Sequence, residues 1–213
     1  MAMAKTFLAA VGLLLVIGCG GAESASASFT GTVRGQTFAP KEALSTNGTV
    51  VTSAGSGDVG AVVITSQANT CASASANQQV KGSQYVVMLL GQIDIVTGKI
   101  VPPTGPGEFT ATYAGGPIPS SLKAAVVFAE TTDATCKDQA STEAVATAGT
   151  VRLTAVGNGT YSGLFTLTLT EADGSGNPVK NGSTDSVSGT FTSTSCPGLA
   201  PLLTLTRAGV TCM

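Results

Sequence analysis

Residues 165–170 read Phe-Thr-Leu-Thr-Leu-Thr. A strand turns successive side chains to opposite faces, so Phe165, Leu167 and Leu169 share one face and Thr166, Thr168 and Thr170 the other. No helical period sorts these six residues. The same beat recurs in Val151-Arg152-Leu153-Thr154-Ala155, in Val187-Ser188-Gly189-Thr190-Phe191-Thr192 and in Leu203-Thr204-Leu205-Thr206. It predicts strands with one face on a core and the other in water. Phe29–Val33, Gly48–Thr52 and Gly60–Thr65 add strands in the first half. Gln84–Leu90 and Ala124–Ala129 are nearly continuous apolar runs, β-branched and short, as suits central strands covered on both sides.

Turn chemistry divides these runs. Asn47-Gly48, Gly157-Asn158-Gly159 and Asn181-Gly182 are hairpin signals, because Asn and Gly accept positive φ. Pro102–Gly107 and Gly115–Pro119 read as rigid loops. One helix is expected over Asn69–Gln79, capped by Asn69 or Thr70. A second helical turn is expected at Pro40–Leu44, where Pro fits the first helical position. The expected architecture is all-β: an antiparallel β-sandwich over residues 29–213, one domain, with at most one or two short helical turns beside an N-terminal signal helix.

The surface must be polar without being ionic, since only 10% of residues are charged and Ser and Thr are abundant. There is no His, which excludes a Ser-His-Asp triad, a Cys-His pair and an H-E-x-x-H zinc site. Ten basic residues at net charge -2 leave no electrostatic footprint for nucleic acid.

Lys5 followed by the apolar run Phe7–Ile17 reads as an export signal. The run is too short to span a bilayer, which needs about 20 apolar residues. It stops at Val16-Ile17-Gly18-Cys19, which resembles the lipobox of bacterial lipoproteins: an aliphatic residue, a tolerated one, a small one, then Cys. The resemblance implies that Cys19 is the lipidation site. Its thiol would take diacylglycerol, the signal peptide 1–18 would be cut before it, and the new amine would be acylated, with palmitate among the chains. Two or three chains, at ~0.8 kcal/mol per buried methylene, hold a protein at a membrane durably. Residues 19–28, Cys19 and Gly20 to Ser28, read as a flexible tether. In that family an aspartate after the Cys favours the inner membrane. Gly20 stands there, which points to a lipid-anchored place in the outer membrane, on its periplasmic or surface face.

Past Cys19 there are four cysteines, Cys71, Cys136, Cys196 and Cys212. In an exported chain an even number suggests two disulfides, against the alternative of four free buried thiols. Three pairings are possible. The favoured one joins Cys71 to Cys136 and Cys196 to Cys212, the latter closing a short C-terminal loop.

Candidate chemistry is sparse. Ser120-Ser121-Leu122-Lys123 matches S-x-x-K, but the companion motifs of that enzyme class are absent. Asp94, Glu108, Glu130, Asp133, Asp138, Glu143, Glu171, Asp173 and Asp185 could supply a carboxylate pair for a periplasmic hydrolase acting on sugars. Such sites want aromatic platforms, and the chain has no Trp and three Tyr. Asp173-Gly174-Ser175-Gly176-Asn177 spaces oxygens like the start of a calcium loop, then departs at Pro178 and Thr184. Asn47, Asn158 and Asn181 open sequon matches that read as turns. The expectation is no metal, no cofactor and no catalysis.

Phe29-Thr30-Gly31-Thr32-Val33 with Gln36-Thr37-Phe38, and Ser188-Gly189-Thr190-Phe191 ending near Cys196, are similar to small β-sandwich lipoproteins of Gram-negative bacteria, most without an assigned activity. The resemblance implies a membrane-anchored envelope module, structural or binding, with an envelope protein as possible partner. The alternative is a carrier enclosing a small apolar ligand in a barrel-like cavity of about 300 Å³ or more.

Overall fold

A computed structural model describes residues 25–52, 55–203 and 211–213. In chain order the strands are β1 (Ser26–Thr30), β2 (Thr32–Val33), β3 (Gln36–Thr37), β4 (Glu42–Thr52), β5 (Gly55–Thr65), β6 (Gln78–Gln79), β7 (Gln84–Ile93), β8 (Ile100–Val101), β9 (Gly107–Thr112), β10 (Lys123–Thr131), β11 (Ala144–Val156), β12 (Tyr161–Glu171), β13 (Thr184–Thr192), β14 (Thr194–Ser195) and β15 (Thr211–Cys212). Among the described residues one α-helix, α1 (Thr70–Ser75), lies between β5 and β6. The fold is all-β, as its alternating sequence requires.

The main sheet runs β1-β13-β12-β11-β9-β10-β7-β5-β4-β14, with β8 hydrogen-bonded to β7. The two faces of the sandwich therefore belong to one curled sheet. Its last strand follows directly from its second: β13 lies between β1 and β12 near one end, and β14, two residues on in sequence, pairs with β4 at the other. Most pairings are antiparallel, but β14–β4 and β9–β10 are parallel. The second follows from β9 being a short wedge. It separates β10 from β11 only over residues 107–112; beyond it Phe128 and Ala129 pair directly with β11.

The interior is filled from every wall. Phe165, Leu167 and Leu169 of β12 point inward with Val187 and Phe191 of β13, as their alternation dictates. Opposite them stand Val62 and Ile64 of β5, Val86, Met88 and Leu90 of β7, and Val127 of β10. The central strands are covered on both faces. Val63 and Val87 point outward into a second cluster, where Leu44, Ala74 of α1 and Leu199 of the 3-10 stretch Pro197–Leu203 cover them.

Several local expectations give way to tertiary structure. Pro40–Leu44 is not a helical turn. Glu42 begins β4, and Ala43 and Leu44 bury opposite faces of that strand in the two clusters. Asn47-Gly48 is not a turn either: it lies mid-strand, paired with Gly60 and Val59. The helix expected over Asn69–Gln79 is confined to six residues. Asn69 makes no side-chain cap and takes the left-handed conformation; Glu42 caps instead, its carboxylate accepting the amides of Asn69 (2.5 Å) and Thr70 (3.0 Å). Gln78 and Gln79 leave the helix to pair with β15. The strand expected at Leu203–Thr206 falls on residues 204–206, outside the described residues, and Leu203 closes the 3-10 stretch. Gly157–Gly159 does form the tight turn between β11 and β12.

Ser26-Ala27-Ser28, the last residues of the expected tether, lie in β1 and pair with Thr192, Phe191 and Thr190.

The favoured cysteine pairing is corrected. The bonds are Cys71–Cys196 and Cys136–Cys212, with Cα–Cα separations of 5.7 and 5.5 Å. Cys196 and Cys212 do not meet each other; each meets a cysteine earlier in the chain.

Candidate functional site

Strand direction sorts the connections onto two rims. The hairpin rim carries the ends of β4 and β5, the β7–β8 loop at 94–99, the starts of β9 and β10, and the turn at 157–160. The opposite, disulfide rim carries loops 132–138 and 172–178 and the Cys136–Cys212 bond. Ser26 pairs with Thr192, so the N-terminal end of β1 faces the hairpin rim.

On the disulfide rim two loops are built alike. Asp133 Oδ1 accepts the amides of Thr135 (2.6 Å) and Lys137 (3.0 Å); Asp173 Oδ1 accepts those of Ser175 and Asn177, both at 2.9 Å. Cys136 and Gly176 occupy the same left-handed position in the two loops, at φ 58 and 77. The calcium-like spacing at Asp173 is thus a turn whose carboxylate is spent on backbone. Among the described residues no group of three or more metal-ligating side chains comes together. Nearby, Arg34 ties the small β2–β3 hairpin to the sheet. Its guanidinium bonds Glu171 (2.7 Å) and the Ser183 hydroxyl, and its amide donates to Asp185 (2.7 Å).

These bonds govern the ionisation of the acids. Amides of Lys137 and Asn177 hold Asp133 and Asp173 below the usual carboxylate range, the Thr97 amide does the same for Asp94, and the Arg34 guanidinium does so for Glu171. Glycoside hydrolysis needs one carboxyl held protonated. All four of these acids move the other way. Ser120-Ser121-Leu122-Lys123 forms the turn into β10: the Ser121 hydroxyl bonds the Lys123 carbonyl, and the Lys123 ammonium lies 5.8 Å over the Phe109 ring.

The hairpin rim is closed by a polar seam where the ends of the sheet meet. Ser193 Oγ accepts the Tyr161 amide and bonds Ser45 Oγ (2.7 Å), which donates to the Gly159 carbonyl. Tyr161, 1% exposed, crosses to Asn47 and donates its hydroxyl to the amide oxygen. Gly60 leaves it room, since any side chain there would strike the phenol ring. Burial pushes the Tyr161 hydroxyl up from its ordinary value.

Outside this plug the rim carries exposed aliphatic side chains among polar and charged ones. Ile95 and Val96 stand 82% and 89% exposed, and Ile118 72%. A shallow surface cleft of about 330 Å³ lies between Asp94–Val96 and Ser121–Lys123. A second, of about 390 Å³, opens between Pro106–Glu108 and Arg152–Thr154. The exposed pair had one sequence signal, two large aliphatics set between the turn formers Asp94 and Thr97-Gly98, and periodicity alone passes over it.

Cys19 and the expected export signal fall on residues outside those described. Among the described residues no helix is long and apolar enough to cross a membrane. In comparisons with known proteins the chain matches no family model, no curated sequence and no solved structure.

Proposed function

We propose that the chain is an exported lipoprotein, held at the outer membrane by acyl chains on Cys19 and carrying a non-catalytic structural or binding module of the cell envelope. The observation that carries this reading is the cysteine arithmetic. Cys71 pairs with Cys196 and Cys136 with Cys212, leaving Cys19 as the one cysteine of the chain without a disulfide role. That residue stands at the end of the apolar signal, in the lipobox-like Val16-Ile17-Gly18-Cys19. Two disulfides suit an oxidising compartment outside the cytosol. The acids tied up in turns and the absence of His agree with a module that does no acid–base chemistry.

A strongly curled sheet is what a ligand carrier would also need. Against that, Phe109, Tyr161, Phe165, Met88 and Leu90 fill the interior, each at most 1% exposed.

The test is fractionation of cells expressing the wild type and Cys19→Ala, with mass spectrometry of the mature N-terminus. The wild type is expected in the outer-membrane fraction with acyl chains on Cys19. Cys19→Ala is expected to lose both. Membrane association that survives the substitution, with an unchanged mass otherwise, refutes the proposal.

A further inference from the structure

The exposed apolar side chains are unevenly distributed. Of the six large ones among the described residues, Ile95, Val96, Ile100 and Ile118 belong to the hairpin rim or the segments leading into it; the others are Leu164 and Met213. The loops of the disulfide rim present Asp133, Thr135, Asp173, Ser175 and Asn177 instead. The Ile95-Val96 tip is also held in place. Asp94 accepts the amides of Val96 (2.8 Å) and Thr97 (2.9 Å) on its carboxylate, its own amide donates to the Lys99 carbonyl, and its carbonyl accepts the Gly98 amide at 2.7 Å. A loop bound this tightly to itself keeps its two apolar side chains in water at a cost, and an isolated aliphatic tip on a rigid loop has few uses besides contact with something apolar.

The position of the tip says what that is. β1 begins at Ser26 with its N-terminal end facing the hairpin rim. Seven residue steps separate Ser26 from Cys19, a span of at most ~25 Å whatever the conformation. β1 lies at the sheet's seam beside β4, and β7, which carries the tip, is two strands on from β4. A lipid anchor on Cys19 therefore holds this side of the molecule at the bilayer.

We infer that the hairpin rim is the membrane-facing surface, and that Ile95 and Val96 dip into the headgroup–acyl boundary of the phospholipid bilayer that carries the anchor. The inference rests on the reading of Cys19 as the lipidated residue. Lys99 and Lys123 flank the tip and suit the phosphates of anionic headgroups. Asp94, ionised and bound to its own loop, limits the insertion to the interface, about 5–10 Å, because its charge cannot enter the hydrocarbon. The anchor and the tip then act as two contacts, one covalent and one reversible, and together fix that the disulfide rim looks away from the membrane.

The chain has no Trp, so a single introduced one reports its surroundings without background. Full-length protein is purified from membranes as Val96→Trp and, for the opposite rim, as Gly174→Trp, where a side chain meets nothing within 4 Å. Each is reconstituted into phosphatidylethanolamine–phosphatidylglycerol vesicles with and without brominated acyl chains, and flotation is scored alongside fluorescence. Both variants are expected to float. Emission from Val96→Trp is expected to shift to the blue and to be quenched at least about threefold more than that from Gly174→Trp, as for an indole at the interface. If both float and the two are quenched alike, or Gly174→Trp more, the orientation is wrong while the anchor stands. If neither floats, the anchor is wrong and the inference falls with it.

Discussion

Replacing Gly60 by alanine tests whether the Tyr161 ring plugs the hairpin-rim end of the interior. A methyl built on Gly60 stands 2.6 Å from Tyr161 Cζ, closer still to the hydroxyl, and 3.1 Å from Pro103 Cδ. Carbon atoms pack at about 3.5–4.0 Å, so the ring must retreat by about an ångström. Gly60 is not in the left-handed region, so backbone strain adds nothing. Overpacking of this kind costs about 1–3 kcal/mol. Displacing the hydroxyl from Asn47 adds about 1 kcal/mol. Gly60→Ala should therefore destabilise by about 2–4 kcal/mol. Tyr161→Ala, which removes a ring 1% exposed, should cost about 3–5 kcal/mol by leaving a cavity. In the double variant the methyl meets no ring, and the added cost of Gly60→Ala should fall below about 1 kcal/mol. The assay is denaturant unfolding followed by circular dichroism with the disulfides intact. If Gly60→Ala costs the same in both backgrounds, to within about 0.5 kcal/mol, the two positions are independent and the plug is not there.

Peptide mapping without reductant is expected to recover Cys71 linked to Cys196 and Cys136 linked to Cys212; a Cys71–Cys136 link would overturn the path of the C-terminal segment. In the chain-entropy model, bonds closing separations of 125 and 76 residues each stabilise by about 4–5 kcal/mol, so Cys71→Ser with Cys196→Ser should lower the denaturation midpoint far more than a surface substitution. Burial raises the Tyr161 pKa above 10.0, so the native state favours the neutral phenol. Its contribution to stability is complete below the unfolded value near 10 and is lost as pH rises through the higher folded value. In an alkaline titration followed by tyrosinate absorbance, Tyr161→Phe should remove the last step; loss of an early step instead would contradict the burial.

Where the chemistry was local, the sequence was readable. Phe165, Leu167 and Leu169 alternate because one face of β12 meets the core, and the apolar runs in β7 and β10 are continuous because both faces are covered. The misreadings share a cause. Asn47-Gly48 has the residues of a turn, but Asn47 is in β4 to receive the Tyr161 hydroxyl, 114 residues away. Asn69 has the residue of a helix cap, but Glu42 supplies the cap from another strand. Cys196 and Cys212 are near each other in sequence, which favours a short loop until the outside of the sheet offers each a more distant partner. The candidate site divides the same way: Cys19 is legible from a four-residue pattern, whereas Ile95 and Val96 become a feature only when strand direction places their loop on the rim.

The seam has a consequence for the order of assembly. The free edge of β4 is satisfied by Thr194, which follows Ser45 by 149 residues. At synthesis rates of about 5–20 residues per second, that edge waits roughly seven to thirty seconds for its partner. A bare strand edge pairs readily with a neighbouring chain. Every newborn copy therefore passes through an interval with that edge bare, until the final tenth of the chain arrives to cover it.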